Sequence, residues 1–227
     1  MTNFLLVHGG AHGAWCWDRV VPFLRSGPRV ANVVAVDLAG HGERRDVKPL
    51  ESITVGDYVD DVVREIETRD LRDVVLVGHS LAGITLPGAA ARVADRLRRV
   101  IFLSTVNPPV GQSVADPMKH PLSPLSRGVD FPTMFCNDLD EETAAWLLGQ
   151  LGPEPPGPTA EPVTVARLPS RVPSTYILLE RDEALPPELQ REQARTASAD
   201  ELVSFDAGHS AFASRPRDLA ELLLRYA

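Results

Sequence analysis

Ser80 lies in the run Val74-Val75-Leu76-Val77-Gly78-His79-Ser80-Leu81-Ala82-Gly83, where a continuous apolar stretch gives way to a serine among very small residues. An apolar run without alternation reads as a strand buried on both faces. A serine at the break from such a strand into a helix occupies a turn so tight that the residues two before and two after it must be tiny. Gly78 and Ala82 fill those places, Ala82 departing from glycine by a single methyl. The turn holds the hydroxyl clear of the sheet at a helix N-terminus, where backbone N–H groups can hold a developing oxyanion. An ordinary N-cap serine needs no such neighbours. The chemistry implied is nucleophilic attack on a carbonyl.

A hydroxyl attacks poorly unless a base takes its proton and a third group orients that base. Six histidines compete: His8, His12, His41, His79, His120 and His209. His79 adjoins the serine, and neighbours on a tight turn point apart. His8 and His41 stand beside glycines after the first two strands and suit backbone-fixing roles. His120 lies in a proline-rich stretch. His209 follows the last strand in Phe205-Asp206-Ala207-Gly208-His209 and so emerges at the C-terminal sheet edge, where Ser80 also lies. It is the predicted base. The acid should leave a strand end between them, and Tyr176 to Leu179 is followed by Glu180-Arg181-Asp182-Glu183. Asp182 is the predicted orienting acid, with Glu183 and Asp206 in reserve. The other half of an oxyanion hole should come from Val7-His8-Gly9-Gly10-Ala11-His12-Gly13, since glycines let backbone approach a ligand closely. The predicted donors are the Gly10 and Leu81 N–H groups.

Two other chemistries fit less well. A dinucleotide fingerprint requires G-x-G-x-x-G, and Gly9, Gly10 and Gly13 miss the first spacing even though Asp37 follows the second strand. A zinc pair from His8 and His12 would need a helix that those glycines oppose. No metal and no organic cofactor is expected. Trp15, Trp17, Phe131, Phe135, Trp146 and Phe212 suit core or lid packing as well as a pocket, so none is assigned to binding.

The elements that must position these groups alternate between β-branched runs and helix-period segments, the pattern of a parallel sheet covered by helices. Strands are predicted at Phe4–Val7, Val33–Val36, Val74–Val77, Val100–Leu103, Tyr176–Leu179 and Leu202–Phe205. Helices are predicted from Trp17 to Arg25, Val55 to Thr68, Leu81 to Asp95 and about Arg217 to Tyr226. The pattern breaks between Val106 and Val172, which hold 12 of the 20 prolines. Proline excludes helix interiors and central strands. Only Asp138 to Leu151 looks helical there, and because the sheet pattern then resumes, residues 107–171 read as an insertion over the sheet.

The 227 residues suit one domain, with 44% apolar and 24% charged residues. A net charge of −8 argues against nucleic-acid or membrane-surface partners. Cys16 and Cys136 match no metal-ligand spacing and form no disulfide scaffold. No apolar run approaches the roughly 18 residues of a membrane span. The expectation is a soluble, cytoplasmic protein of one domain, 1–227. Its oligomeric state, a homodimer included, stays open.

Taken together, these motifs resemble the α/β-hydrolases, in the branch containing plant methylesterases and hydroxynitrile lyases. The resemblance rests on His8-Gly9-Gly10, His12-Gly13-Ala14-Trp15-Cys16-Trp17, Asp37-Leu38-Ala39-Gly40-His41-Gly42, Gly78 to Gly83, Tyr176 to Asp182 and Gly208-His209. It implies an α/β-hydrolase fold, with a mostly parallel six-stranded sheet, helices on both faces and a short cap formed by the insertion. It also implies a serine esterase acting on a small-molecule ester. Lyases of this branch carry a threonine and a lysine where this chain has Gly9 and Ser210, so the esterase reading ranks first. A lyase or carbon–carbon bond hydrolase using the same triad ranks next, and a poorly catalytic ligand receptor last.

Overall fold

The computed structural model describes the backbone of residues 1–227 and every side chain except those of Pro117, Met118 and Leu125. Among the described residues six strands form one sheet: β1 (Thr2–Val7), β2 (Val30–Val36), β3 (Val74–His79), β4 (Leu97–Leu103), β5 (Ser174–Leu179) and β6 (Glu201–Phe205). Their order across the sheet is β2-β1-β3-β4-β5-β6, and every neighbouring pair is parallel. All C-terminal strand ends therefore lie along one edge. The helices are α1 (Val21–Arg25), α2 (Val55–Thr68), α3 (Leu86–Val93), α4 (Ala115–Met118), α5 (Phe131–Cys136), α6 (Glu141–Gln150), α7 (Pro156–Ala160), α8 (Pro187–Ala197), α9 (Ala211–Ser214) and α10 (Pro216–Leu224).

The period-2 geometry of strands divides the core in two. Leu5, Val7, Leu76, Phe102, Tyr176 and Leu178 face one side, where they meet Val62 and Ile66 of α2, Leu86 and Ala90 of α3, and Ala194 of α8. Phe4, Leu6, Val75, Val77, Ile101 and Ile177 face the other, against Trp17, Leu24 of α1, Leu147 of α6, Phe212 of α9 and Leu219 and Leu223 of α10. Helix α2 begins and ends where its apolar period predicts. Its start is fixed by a capping box in which the Thr54 side chain and Asp57 satisfy each other's backbone amides.

Two predicted helices are interrupted, and the stretch read as helical from Asp138 to Leu151 is helical only over Glu141–Gln150. The segment from Trp17 to Arg25 is a 3-10 turn at Ala14–Trp17 followed by α1, because Pro22 is tolerated only in a first helical turn. From Leu81 to Asp95 the chain makes a 3-10 turn at Ser80–Ile84 and restarts as α3, with Pro87 in the first turn. The connection from Ser104 to Pro173 carries α4 to α7, of which the sequence pattern predicts only α6.

Candidate active site

Strand β3 delivers Ser80 to the C-terminal edge with φ at +53°, the left-handed region a non-glycine residue enters only under constraint. The turn is packed as its sequence implies. A Cβ on Gly78 would stand 2.7 Å from Leu86 Cδ1 and 2.9 Å from the Cβ of Ala82. Strand β1 delivers the second loop, so close that a Cβ on Gly9 would come within 2.7 Å of the Ser80 Cβ. Ser80 itself is half-buried.

His209 and Asp182 arrive from the ends of β6 and β5. The two loops are knitted past the strands by Glu180 N–H to Phe205 C=O and Arg181 N–H to Ala207 C=O, both 3.0 Å. His209 Nε2 lies 3.0 Å from Ser80 Oγ, and its Nδ1 lies 2.7 Å from Asp182 Oδ2. Both His209 and Asp182 are 2% exposed. The Asp182 carboxylate also accepts the Ala184 and Leu185 N–H groups on Oδ1 at 2.8 and 2.7 Å. The Ser104 hydroxyl donates to its Oδ2 at 2.6 Å. The reserve acids stay apart: Glu183 is exposed, and exposed Asp206 pairs with Arg181 at 2.7 Å.

Sequence reasoning passed over Ser104, because the chain after β4 shows no carboxylate and one hydroxyl at a strand end carries no distinguishing signal. Its position between the ends of β3 and β5 was the available clue.

The Gly10 N–H is aimed by the other face of its own peptide. Gly9 C=O accepts His8 Nδ1–H at 2.8 Å and His12 N–H at 3.3 Å, and a trans peptide points its N–H the opposite way. His8 is held in turn by the Leu38 N–H donating to its Nε2 at 3.1 Å. Among the described residues neither the Gly10 nor the Leu81 N–H has an acceptor. A Cβ on Gly10 would be 3.2 Å from Leu81 Cδ2, so the two loops adjoin.

The remaining histidines are structural neighbours. His12 Nδ1–H donates to Gly10 C=O at 2.7 Å, His41 Nε2 meets Tyr58 Oη at 2.9 Å, and His120 Nδ1 accepts the Leu122 N–H at 3.1 Å. His79 does more than sequence spacing suggests: its Nε2–H donates to the His209 C=O at 3.0 Å, and the two rings lie 4.5 Å apart. Burial holds His8 and His79 well below the ordinary histidine range and takes His12 and His41 down to about 4. Of the aromatics, Trp17 and Phe212 are fully buried core, while Phe135 stacks on His209 at 5.5 Å with Phe131 stacked on it in turn. Among the described residues no group of His, Cys, Asp or Glu forms a metal site, and no helix is long and apolar enough to cross a membrane.

An open parallel sheet with a serine elbow after β3, a carboxylate after β5 and an imidazole after β6 defines the class, and the comparisons agree. The chain belongs to the alpha/beta hydrolase family, whose pattern it matches over residues 4–222. It is 36% identical over 115 residues to a carbendazim-hydrolyzing esterase of Nocardioides sp. (strain SG-4G), a match covering 50% of this chain and 46% of that protein. It is 30% identical to a probable esterase of rice, Oryza sativa, covering 99% of this chain and 96% of the relative. Plant methylesterases also stand among its relatives. An extracellular alpha/beta-hydrolase from a Paenibacillus species, described as sharing structural and functional homology with tobacco salicylic acid binding protein 2, superposes with a TM-score of 0.83. That pair is 25% identical, covering 100% of this chain and 99% of the other.

Proposed function

We propose that this chain is a serine carboxylesterase of small to medium, partly apolar esters, working through Ser80, His209 and Asp182. The observation that carries the reading is the unbroken relay from Ser80 Oγ to His209 at 3.0 Å and from His209 to buried Asp182 at 2.7 Å. In acylation Ser80 Oγ bonds to the ester carbonyl carbon while its proton passes to His209 Nε2, and Asp182 orients and stabilises the imidazolium. The carbonyl electron pair moves onto oxygen, held by the Gly10 and Leu81 N–H groups. Collapse expels the alcohol oxygen, which takes the proton from His209. Water then attacks the acyl-enzyme by the same base, releasing the acid and regenerating Ser80. Each oxyanion donor is worth roughly 10²–10³ in turnover.

The connection over the sheet acts as the cap of this site, with Phe135 lying against the imidazole. Methyl esters of organic acids are the first substrates to test, given the methylesterases among the relatives. Ester hydrolysis is preferred to cyanohydrin cleavage because Ser210, fully buried, follows His209 where a cation would be needed beside a cyanide leaving group.

Intact mass after exposure to a fluorophosphonate tests the assignment. Wild type should take one label, and Ser80→Ala and His209→Ala none. Equal labelling or undiminished ester turnover in Ser80→Ala would refute the assignment. Folded wild type that neither labels nor hydrolyses esters would point to a ligand receptor.

A further inference from the structure

The connection between β4 and β5 returns to the sheet edge through side-chain hydrogen bonds that each land one residue from a site group. Asp138 Oδ2 accepts the Gly208 N–H at 2.7 Å, beside His209. Asn137 Nδ2 donates to the Arg181 C=O at 2.7 Å, beside Asp182. Glu154 Oε2 accepts the Ala11 N–H at 2.6 Å, beside Gly10, and the Gly152 N–H donates to the Ala11 C=O at 2.9 Å. The Gly10–Ala11 peptide is thus held at both ends, its carbonyl by His12 and its N–H by Glu154.

The Asp138 and Glu154 contacts sit where a mere cover would be apolar, whereas the Asn137 bond is exposed. Asp138 has a side chain only 3% exposed, its nearest cation, Arg181, is 3.7 Å away, and its Oδ1 has no partner among the described residues. A half-satisfied buried carboxylate costs stability, and an apolar residue of similar size would not. The approach is also tight. A Cβ on Gly208 would lie 2.4 Å from Asn137 Oδ1 and 2.5 Å from Asp138 Oδ1, so a side chain there would push the insertion off the loop. Glu154 repeats the pattern on the other side of the site, its carboxyl pushed up to about 7 by burial while it bridges Ala11 and Tyr58. Covering is done by other groups, such as Phe135 on the imidazole.

We propose that the insertion braces the site as well as covering it: Asn137, Asp138 and Glu154 are positioning residues that hold the loops of Asp182, His209 and Gly10 in register. The proposal rests on the esterase reading for its effect on rate, and on geometry alone for its effect on the loops. Displacing a reacting group by about 1 Å can cost about 10²-fold in rate.

The test compares Asn137→Ala, Asp138→Ala and Glu154→Ala with Asp138→Asn and Glu154→Gln, whose amide oxygens still accept from Gly208 and Ala11. Thermal melts establish folding. 4-Nitrophenyl acetate turnover and fluorophosphonate labelling rates report the chemistry. The alanine variants should lose about 10- to 100-fold in kcat and labelling rate with KM nearly unchanged, and the amide variants should recover most of it. Folded alanine variants that change only KM would overturn the brace, as would amide variants that lose as much as alanine. If Asp138→Ala and Glu154→Ala do not fold, Asn137→Ala, which deletes one exposed bond, decides by the same criterion.

A second readout does not depend on turnover: the downfield proton of the His209–Asp182 hydrogen bond, identified by its loss in His209→Ala. It should shift or broaden in Asp138→Ala and Asn137→Ala. An unchanged signal in both refutes the brace whatever the enzyme hydrolyses. A signal that responds in a protein that neither labels nor hydrolyses esters leaves the brace standing and removes the esterase reading.

Discussion

Glu154→Gln separates the charge of this carboxylate from its hydrogen bonds, and pH reveals the difference. The side chain is 21% exposed, accepts from Ala11 N–H and Tyr58 O–H, and stands 3.5 Å from His41 Nε2. Burial raises its pKa from the ordinary 4.5 to about 7. Neither neighbour changes charge in the relevant window, since burial takes His41 down to about 4 and pushes the Tyr58 hydroxyl up. The native state therefore binds this proton more tightly than the unfolded chain. The resulting stability is complete below 4.5 and is lost as pH rises through about 7. At about 1.4 kcal/mol per pH unit the whole effect approaches about 3 kcal/mol, of which about 2 falls between pH 5.5 and 8. This is a ceiling, because a fifth of the side chain still meets water. Glutamine cannot ionise, so its stability relative to wild type should rise by up to about 2 kcal/mol over that window, or about 4–8 °C in Tm. Urea unfolding of both proteins at four pH values measures it, starting above the isoelectric point of about 5.2 to keep the chain charged. A difference constant to within about 0.5 kcal/mol, or one falling with pH, would mean that Glu154 is not desolvated and the reasoning fails.

Gly9→Ala must move either the β1 loop or the serine, since the new Cβ would lie 2.7 Å from the Ser80 Cβ. Labelling by fluorophosphonate should slow by about 10²-fold with the protein still folded, and an unaltered rate would remove the loop from the oxyanion site. Ser104→Ala deletes a buried donor 2.6 Å from Asp182 Oδ2. Because the acceptor is a carboxylate, chemical denaturation should show a loss of about 1.5–3 kcal/mol, and unchanged stability would contradict that bond.

Much of the sheet was readable because central parallel strands have no polar face to disguise them: β1, β3 and β5 are buried at every position. Helix α2 was readable because its apolar stripe and its capping box agree. Helix α8 was not, since the face it buries includes Gln190 and Gln193. These glutamines serve strand ends and loops: Gln190 exchanges hydrogen bonds with both backbone groups of Leu179, and Gln193 accepts the Asn107 N–H at 2.6 Å. A polar side chain that satisfies buried backbone erases the apolar period that marks a helix. The same limit explains the site. Ser80, Asp182 and His209 each follow a strand end, and strand ends can be found from local pattern. Ser104, Asp138 and Glu154 act through contacts between distant segments, two of them in a proline-rich stretch with little period.

The surplus of histidines at this edge also has a physical resolution. Each of His8, His12, His41 and His79 is buried, and burial lowers the pKa of all four. Each therefore stays neutral near pH 7 and works as a hydrogen-bonding plate, fixing Gly9, Gly10, Tyr58 and the His209 carbonyl in turn. His209 differs in one respect, a carboxylate oxygen at 2.7 Å from Nδ1, whereas His41 stands 3.5 Å from the carboxylate of Glu154. In the proposed mechanism a proton passed from Ser80 would make an imidazolium of His209 beside the His79 ring, 4.5 Å away, which carries no charge to repel it. The sequence pattern names five histidines near one sheet edge, and the fold brings a carboxylate oxygen within 2.7 Å of one of them, His209.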